Sequence, residues 1–143
     1  MRRFILKITS IYPTASCFHW SMLVYRVLIS SEMIVAHGLK KLGIGAEKEQ
    51  VPNPLNLPET FNQLFAVSAN IFFPILIILG LFTRLAILPV LAVTLTGYFV
   101  VHWNDSLLIK DMPFMYSVAF LLLLILGPGK YSADYLIHKD RGR

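Results

Sequence analysis

Charged residues interrupt the first long apolar stretch of this sequence. Arg26 and Glu32 lie inside the stretch, and His37 lies near its end. A charged side chain in the middle of a membrane costs from about 2.5 kcal/mol upward, so residues of this kind are functional candidates. A carboxyl group at such a place could exchange protons. The pattern therefore indicates Glu32 and Arg26 as candidate catalytic residues.

Each of these two residues also has a structural interpretation. Arg26 could reach the lipid head groups or meet a partner on another helix. Glu32 could be a protonated acid that bonds to Asn70 or to a tyrosine and only holds helices together. At about 100° per residue, Glu32 lies about 120° from Arg26 around a straight helix, so the two side chains cannot pair with each other within that helix. His37, in contrast, lies on the same side of the helix as Arg26.

Further polar residues fall at a similar depth in the other apolar stretches, counted at about 1.5 Å per helical residue. Pro74 cannot donate a hydrogen bond to the carbonyl of Asn70, so Asn70 offers a side-chain amide and a freed carbonyl. A simple kink, healed by a neighbouring helix or by water, is the structural alternative. The depths predict a polar cavity that opens to the outer side, with these candidate ligand-binding residues: His37, Asn70, Tyr98, His102 and Tyr116.

Metal and redox chemistry receive little support from the residue types. His37 and His102 at one level could bind a metal ion or a b-type haem between helices. Two histidines alone are a weak signal, so no metal site is predicted. Cys17 is the single cysteine, which excludes an intramolecular disulfide and a two-cysteine redox motif.

The composition places these residues in a membrane rather than in a soluble domain. Of the 143 residues, 56% are hydrophobic and 15% are charged, whereas a soluble domain usually has about 25% charged residues. The length allows one domain, residues 1–143. The net charge of +5 comes from basic residues at the chain ends and between the apolar stretches. This pattern is typical of flanks beside anionic lipid and not of a nucleic-acid-binding surface.

Four apolar stretches predict an all-α integral membrane protein, a four-helix transmembrane bundle with spans at about 16–39, 61–82, 85–102 and 113–127. The fourth span is short, so it is expected to extend at one end or to lie where the bilayer thins. With both termini inside, eight Lys and Arg residues lie inside and four lie outside, as the positive-inside rule requires. We therefore expect cytoplasmic N- and C-termini, with residues 1–7 as a basic interfacial arm that stays attached.

Several short segments, in this order, resemble the DoxX family from about Leu23 to Tyr135. They are Arg26, His37-Gly38-Leu39-Lys40-Lys41-Leu42, the loop Pro52-Asn53-Pro54-Leu55, Gly80-Leu81-Phe82-Thr83-Arg84 and Gly127-Pro128-Gly129-Lys130-Tyr131-Ser132-Ala133-Asp134. The resemblance implies a small, multi-pass, four-helix protein of a bacterial or archaeal inner membrane. Some members are linked to quinone-dependent sulfur oxidation, others to membrane complexes that handle oxidative stress, and many have no known activity.

One departure from the family concerns the acidic residue. The family often has a glutamate fourteen residues before the arginine that follows helix two, and this position holds Asn70 here. Glu32, at similar depth on the neighbouring helix, could take over the acidic role. The alternative is that the activity through this carboxylate is lost.

Three functions remain open from the sequence. The first is a subunit or accessory of a quinone-linked oxidoreductase or oxidative-stress complex. In this hypothesis a quinone binds in the outer cavity, Glu32 exchanges protons, and a redox partner protein supplies the electrons. The second is a small-molecule or proton carrier, which would need an oligomer because four helices without an inverted repeat are too few for alternating access. The third is a scaffold for assembly of a membrane complex. The expected partners are the lipid bilayer and proteins of a membrane complex. Whether the chain forms a homo-oligomer is left open by the sequence, and nucleic acid is not expected as a partner.

Overall fold

The described part of the chain is all-helical. The structure is a computed structural model, and it describes residues 14–45, 47 and 49–141. Within these ranges no strand occurs, so the predicted all-α class is confirmed. The helices are α1 (Ala15–Leu42), α2 (Glu59–Leu79), α3 (Thr83–Val101), α4 (Asp111–Leu126) and α5 (Ala133–Arg141). The interfacial arm predicted at residues 1–7 lies outside the described residues.

The first three helices are long and apolar enough to cross a membrane. They have 28, 21 and 19 residues, and at about 1.5 Å per residue even α3 reaches about 28 Å, close to the hydrocarbon thickness of about 30 Å. Helix α4 is apolar but has only 16 residues. The chain is therefore a membrane protein with three to four apolar helices, and their ends lie within three residues of the predicted spans.

The helices pack in a ring, in which α1 and α3 each contact both α2 and α4. Helix α1 begins and α4 ends at the same end of the bundle, which we call the termini end. The loops from α1 to α2 and from α3 to α4 lie at the other end, the loop end. Most core side chains belong to the half near the termini end: Met22, Ile77, Ala86, Ile87, Val90, Phe120 and Leu123. The half near the loop end is less tightly filled.

Three helices lose regular α-helical geometry in this loop half. Helix α1 contains a π-turn at Ile34–Gly38, and α3 contains another at Gly97–Val101. Helix α2 is interrupted at Ile71, where φ is −128° and ψ is −63°. Pro74 explains this interruption because it removes the hydrogen bond to the carbonyl of Asn70. Since π-turns inside α-helices often mark functional sites, the loop half is the first place to look for one.

Candidate functional site

A cavity of about 570 Å³ lies in the loop half of the bundle. Helices α1 to α4 line it, together with the proline-rich loop before α2. The apolar residues of its wall are Met33, Val51, Pro52, Pro54, Leu55, Leu57, Phe61, Phe65, Ala66, Ala92, Val93, Gly97, Val101, Ile109, Met112 and Pro113. Pockets for small ligands have volumes of about 300–1,000 Å³ and apolar walls with a few polar groups. The size and the wall of this cavity match that description.

Four of the five predicted ligand-binding residues line the cavity: His37, Asn70, His102 and Tyr116. The rings of His37 and Tyr116 pack edge to face, with 5.2 Å between their centroids and 83° between their planes. The Nε2 atom of His37 is buried and has no hydrogen-bond partner among the described residues. A buried polar atom without a partner is costly. This corner of the cavity thus retains an unused hydrogen-bonding group.

Asn70 is placed differently from what its sequence position suggested. One N–H of its amide donates to the carbonyl of Ala66 at 2.6 Å, within the same helix. Its backbone carbonyl faces α1, because a Cβ atom on Gly38 would lie only 2.8 Å from that oxygen. The carbonyl freed by Pro74 therefore supports close packing between α1 and α2. Sequence reasoning missed the role of Gly38, although a glycine near a helix break is a signal for close backbone approach.

Two hydroxyl groups at the same level are already hydrogen-bonded. Ser117 Oγ lies 2.9 Å from Thr94 Oγ1, and also 2.7 Å from the carbonyl of Pro113. Thr94 Oγ1 lies 3.3 Å from the carbonyl of Leu91. These bonds join α3 to α4 beside the cavity. They leave His37 and Tyr116 as the better candidates for holding a ligand.

The loop before α2 covers the cavity and is held by the side chain of Asn53. Its Nδ2 donates to the carbonyl of Leu57 at 2.7 Å, and its Oδ1 accepts from the N–H of Leu57 at 2.9 Å. Asn62 Nδ2 donates to the carbonyl of Pro52 at 3.1 Å, which ties the loop to the start of α2. Sequence reasoning did not identify this role, although an asparagine between two prolines favours such a local turn.

His102 lies at the rim of the cavity, within hydrogen-bond distance of Asp105. Its Nδ1 is 2.7 Å from Oδ2 of Asp105. Within the ranges that the structure describes, no group of three or more His, Cys, Asp or Glu residues could hold a metal ion. His37, His102 and Glu49 all line the cavity, but they do not form such a group.

Two predicted site residues lie outside the wall of the cavity. Glu32 is exposed on the outer surface of α1, whereas Arg26 on the same helix is buried, in agreement with the predicted angle of about 120° between them. Tyr98 packs against Phe114, with 5.7 Å between the ring centroids, and Lys110 Nζ lies 5.2 Å from the centre of its ring. The structure corrects the expectation that Glu32 and Tyr98 face the cavity. The reason is that the depth of a residue along a helix does not determine which side of the bundle it faces.

Arg26 lies at the termini end, far from the cavity, and its side chain is only 2% exposed. Its Nη1 donates to the carbonyl of Pro128 at 2.8 Å, and its Nη2 donates to the carbonyl of Tyr131. Gly80 allows this arrangement, because its φ is +68° and a Cβ there would lie 2.7 Å from Nη1 of Arg26. Of the two alternatives for Arg26, the structure supports the partner within the protein.

Asp134 connects α5 to the beginning of α3. Its carboxylate accepts hydrogen bonds from the N–H groups of Phe82 at 2.7 Å and Thr83 at 2.9 Å, and its own N–H donates to the carbonyl of Gly80 at 2.8 Å. A carboxylate at this place satisfies free N–H groups of a helix N-terminus and interacts favourably with the helix dipole. We call Arg26, Gly80 and residues 127–134 the terminal clasp.

The fold and the cavity define a small helical membrane protein with a ligand-sized cavity in its loop half. The sequence model of the DoxX family matches residues 21–103, more than half of the chain, and the chain belongs to the DoxX family. The match covers α1 to α3, with His37 and Asn70, but not α4 or the part of the terminal clasp that follows it. The chain is also similar to an uncharacterized protein of Haemophilus influenzae, with 29% identity in an alignment of 128 positions that covers 83% of this chain and 84% of the relative. No solved structure matches the chain.

Proposed function

We propose that this protein binds a quinone in the loop-half cavity and serves as a subunit or accessory of a quinone-linked oxidoreductase or oxidative-stress complex. The observation that carries the proposal is the pairing of an apolar cavity of about 570 Å³ with the His37–Tyr116 corner. A bound quinone would accept two electrons and two protons. The protein itself supplies the apolar wall and the hydrogen bonds that orient the head group.

The polar groups of the cavity suit a head group with carbonyl oxygens. A carbonyl needs a donor, and both the imidazole N–H and the phenol O–H are donors. His37 has a buried nitrogen without a partner in the described part of the chain, which supports a ligand at this corner. The ring of Tyr116 is buried on the wall beside it. Aromatic and aliphatic side chains around them, such as Phe65 and Met112, fit a flat, apolar ring.

Electrons for such a reaction have to come from a partner protein, because Cys17 is the single cysteine of the chain. Proton exchange is assigned here to His37 rather than to Glu32, since Glu32 lies outside the cavity wall. Imidazole is suited to this role because its ordinary pKa is close to physiological pH. The proposal also includes an inner-membrane location with both termini in the cytoplasm, supported by the excess of basic residues at the termini end.

The proposal is tested with the full chain in lipid nanodiscs, titrated with a short-chain ubiquinone and a short-chain menaquinone. Tyr116→Phe removes one donor, and a hydrogen bond of about 1 kcal/mol corresponds to about a fivefold weaker Kd. Tyr98→Phe is the matched control, because Tyr98 lies at a similar level but outside the cavity wall. We expect it to bind like the unmodified protein.

Two outcomes would contradict the proposal. One is the absence of saturable binding for both quinones. The other is equal Kd values for the two tyrosine variants, which would place the bound quinone outside the cavity. Quinone reduction by membranes that lack the protein gives a second measurement, and we expect it to be slower than in unmodified membranes.

A further inference from the structure

One face of α1 is exposed and carries Glu32 among apolar residues. Val24, Leu28 and Val35 are 51%, 64% and 60% exposed, and Glu32 is exposed between them. The spacing of four, four and three residues keeps these side chains on one side of the helix. We call these four residues the Glu32 face.

Glu32 lies too deep to reach the head groups. It is seven residues below Leu39, where the predicted first span ends, which corresponds to about 10 Å along the helix. A glutamate side chain is much shorter than this distance, and a charged residue facing hydrocarbon is strongly unfavourable. Within the described residues no Lys, Arg or His side chain lies within ion-pair distance of Glu32, so Glu32 has no cationic partner there. The Glu32 face therefore lacks a group that would satisfy its carboxylate.

A second copy of the chain does not supply this group. A two-fold contact through the same face would bring Glu32 close to Glu32 of the other copy, and two carboxylates repel each other. The exposed basic residues that the structure describes on the helices, such as Lys40, Arg84 and Lys139, lie at or near helix ends. They are too far along the bundle to face Glu32 in a copy inserted in the same direction.

We propose that the Glu32 face is the docking surface for a different membrane protein, one whose transmembrane helix carries an arginine or lysine at the same depth. The apolar residues Leu28 and Val35 pack against that helix on either side of the ion pair. Polar contacts of this kind join helices in membranes because the alternative is an unsatisfied polar group in hydrocarbon. The proposal is independent of the ligand of the cavity.

The test uses the full chain in liposomes with synthetic leucine-rich transmembrane peptides that carry a central arginine, a central leucine or a central glutamate. Association is measured by energy transfer between labels on the protein and on the peptide. We expect the arginine peptide to associate about tenfold more strongly than the leucine peptide. Glu32→Leu should remove this preference without lowering thermal stability, because Glu32 has no ion pair with another described residue.

The control moves the carboxylate to another lipid-facing site at the same depth. Leu121 is exposed on α4, eight residues after residue 113, where the predicted fourth span begins at the loop end, so the double variant Glu32→Leu with Leu121→Glu keeps the charge but not the face. We expect this variant to bind the arginine peptide like Glu32→Leu. The proposal is overturned if the control binds as the unmodified chain does, if no peptide is preferred, or if labelled copies of the chain associate with each other through Glu32.

Discussion

At the scale of single residues, the polar groups of the spans fall into three separate environments. Arg26 is bonded to backbone carbonyls at the termini end, His37 and Tyr116 meet at the cavity, and Glu32 is exposed on the outside of α1. Their chemistry differs accordingly. The second group lines the cavity inside the bundle, while the first closes the bundle and the third is exposed on its outside.

For Arg26 we expect a structural effect and not a direct effect on the ligand. Arg26→Ala leaves the carbonyls of Pro128 and Tyr131 without their donor, and hydrogen bonds from a charged group contribute about 1.5–3 kcal/mol each. The variant should lose about 3 kcal/mol or more of stability, measured as a lower Tm in detergent. Arg84→Ala is the control, because Arg84 is exposed and its nearest acceptor is 3.4 Å away.

The same variant distinguishes a structural Arg26 from a catalytic one. At a temperature where Arg26→Ala is still folded, quinone binding should stay within about twofold of the unmodified protein. A folded variant with full stability but no activity would instead support the catalytic role predicted from the sequence.

At the scale of the helices, the interruptions in α1, α2 and α3 create the space of the cavity. The π-turn of α1 contains His37 and Gly38, and the first half of α2 packs against this turn. Gly38 permits the contact because a Cβ atom there would meet the backbone of Asn70 and the side chain of Ile71. The shape of the cavity therefore depends on a close backbone approach that a larger residue would prevent.

We expect Gly38→Ala to be destabilising and to weaken ligand binding. The new Cβ would lie 2.6 Å from Cγ1 of Ile71 and 2.8 Å from the carbonyl oxygen of Asn70, so α1 and α2 have to separate. Overpacking of this kind costs about 1–3 kcal/mol, which a fall in Tm measures. Gly97→Ala is the matched control, because its Cβ would meet only Cβ of Pro113, at 3.6 Å. Equal Tm values for the two variants would argue against the close approach.

At the scale of the whole molecule, the two ends of the bundle differ in how they are packed and closed. The termini end is packed and closed by the terminal clasp, in which Asp134 caps α3 and Arg26 holds the segment after α4. The loop end is open enough to contain the cavity and is covered by the loop that Asn53 holds. A ligand of the proposed kind would therefore enter the cavity from the loop end.

The orientation of these ends in the membrane is tested by fusions. With the termini end in the cytoplasm, green fluorescent protein fused after Arg143 should fluoresce, and alkaline phosphatase fused there should be inactive. Alkaline phosphatase inserted after Leu108, in the exposed loop between α3 and α4, should be active. The reverse pattern would overturn the orientation derived from the Lys and Arg residues.

Sequence reasoning determined the class of this protein and the depth of its polar residues. Apolar stretches of sufficient length form helices in lipid, because every backbone polar group must be bonded internally, and the rise per residue then sets the depth of His37, Asn70, His102 and Tyr116. The tertiary structure decided which of these residues meet. The side of the bundle that a residue faces depends on the rotation of its helix about the helix axis and on the neighbouring helices. The π-turns and the break at Ile71 change this rotation. Likewise, the partners of Arg26 lie more than 100 residues away along the chain, and only the ring of helices brings them together.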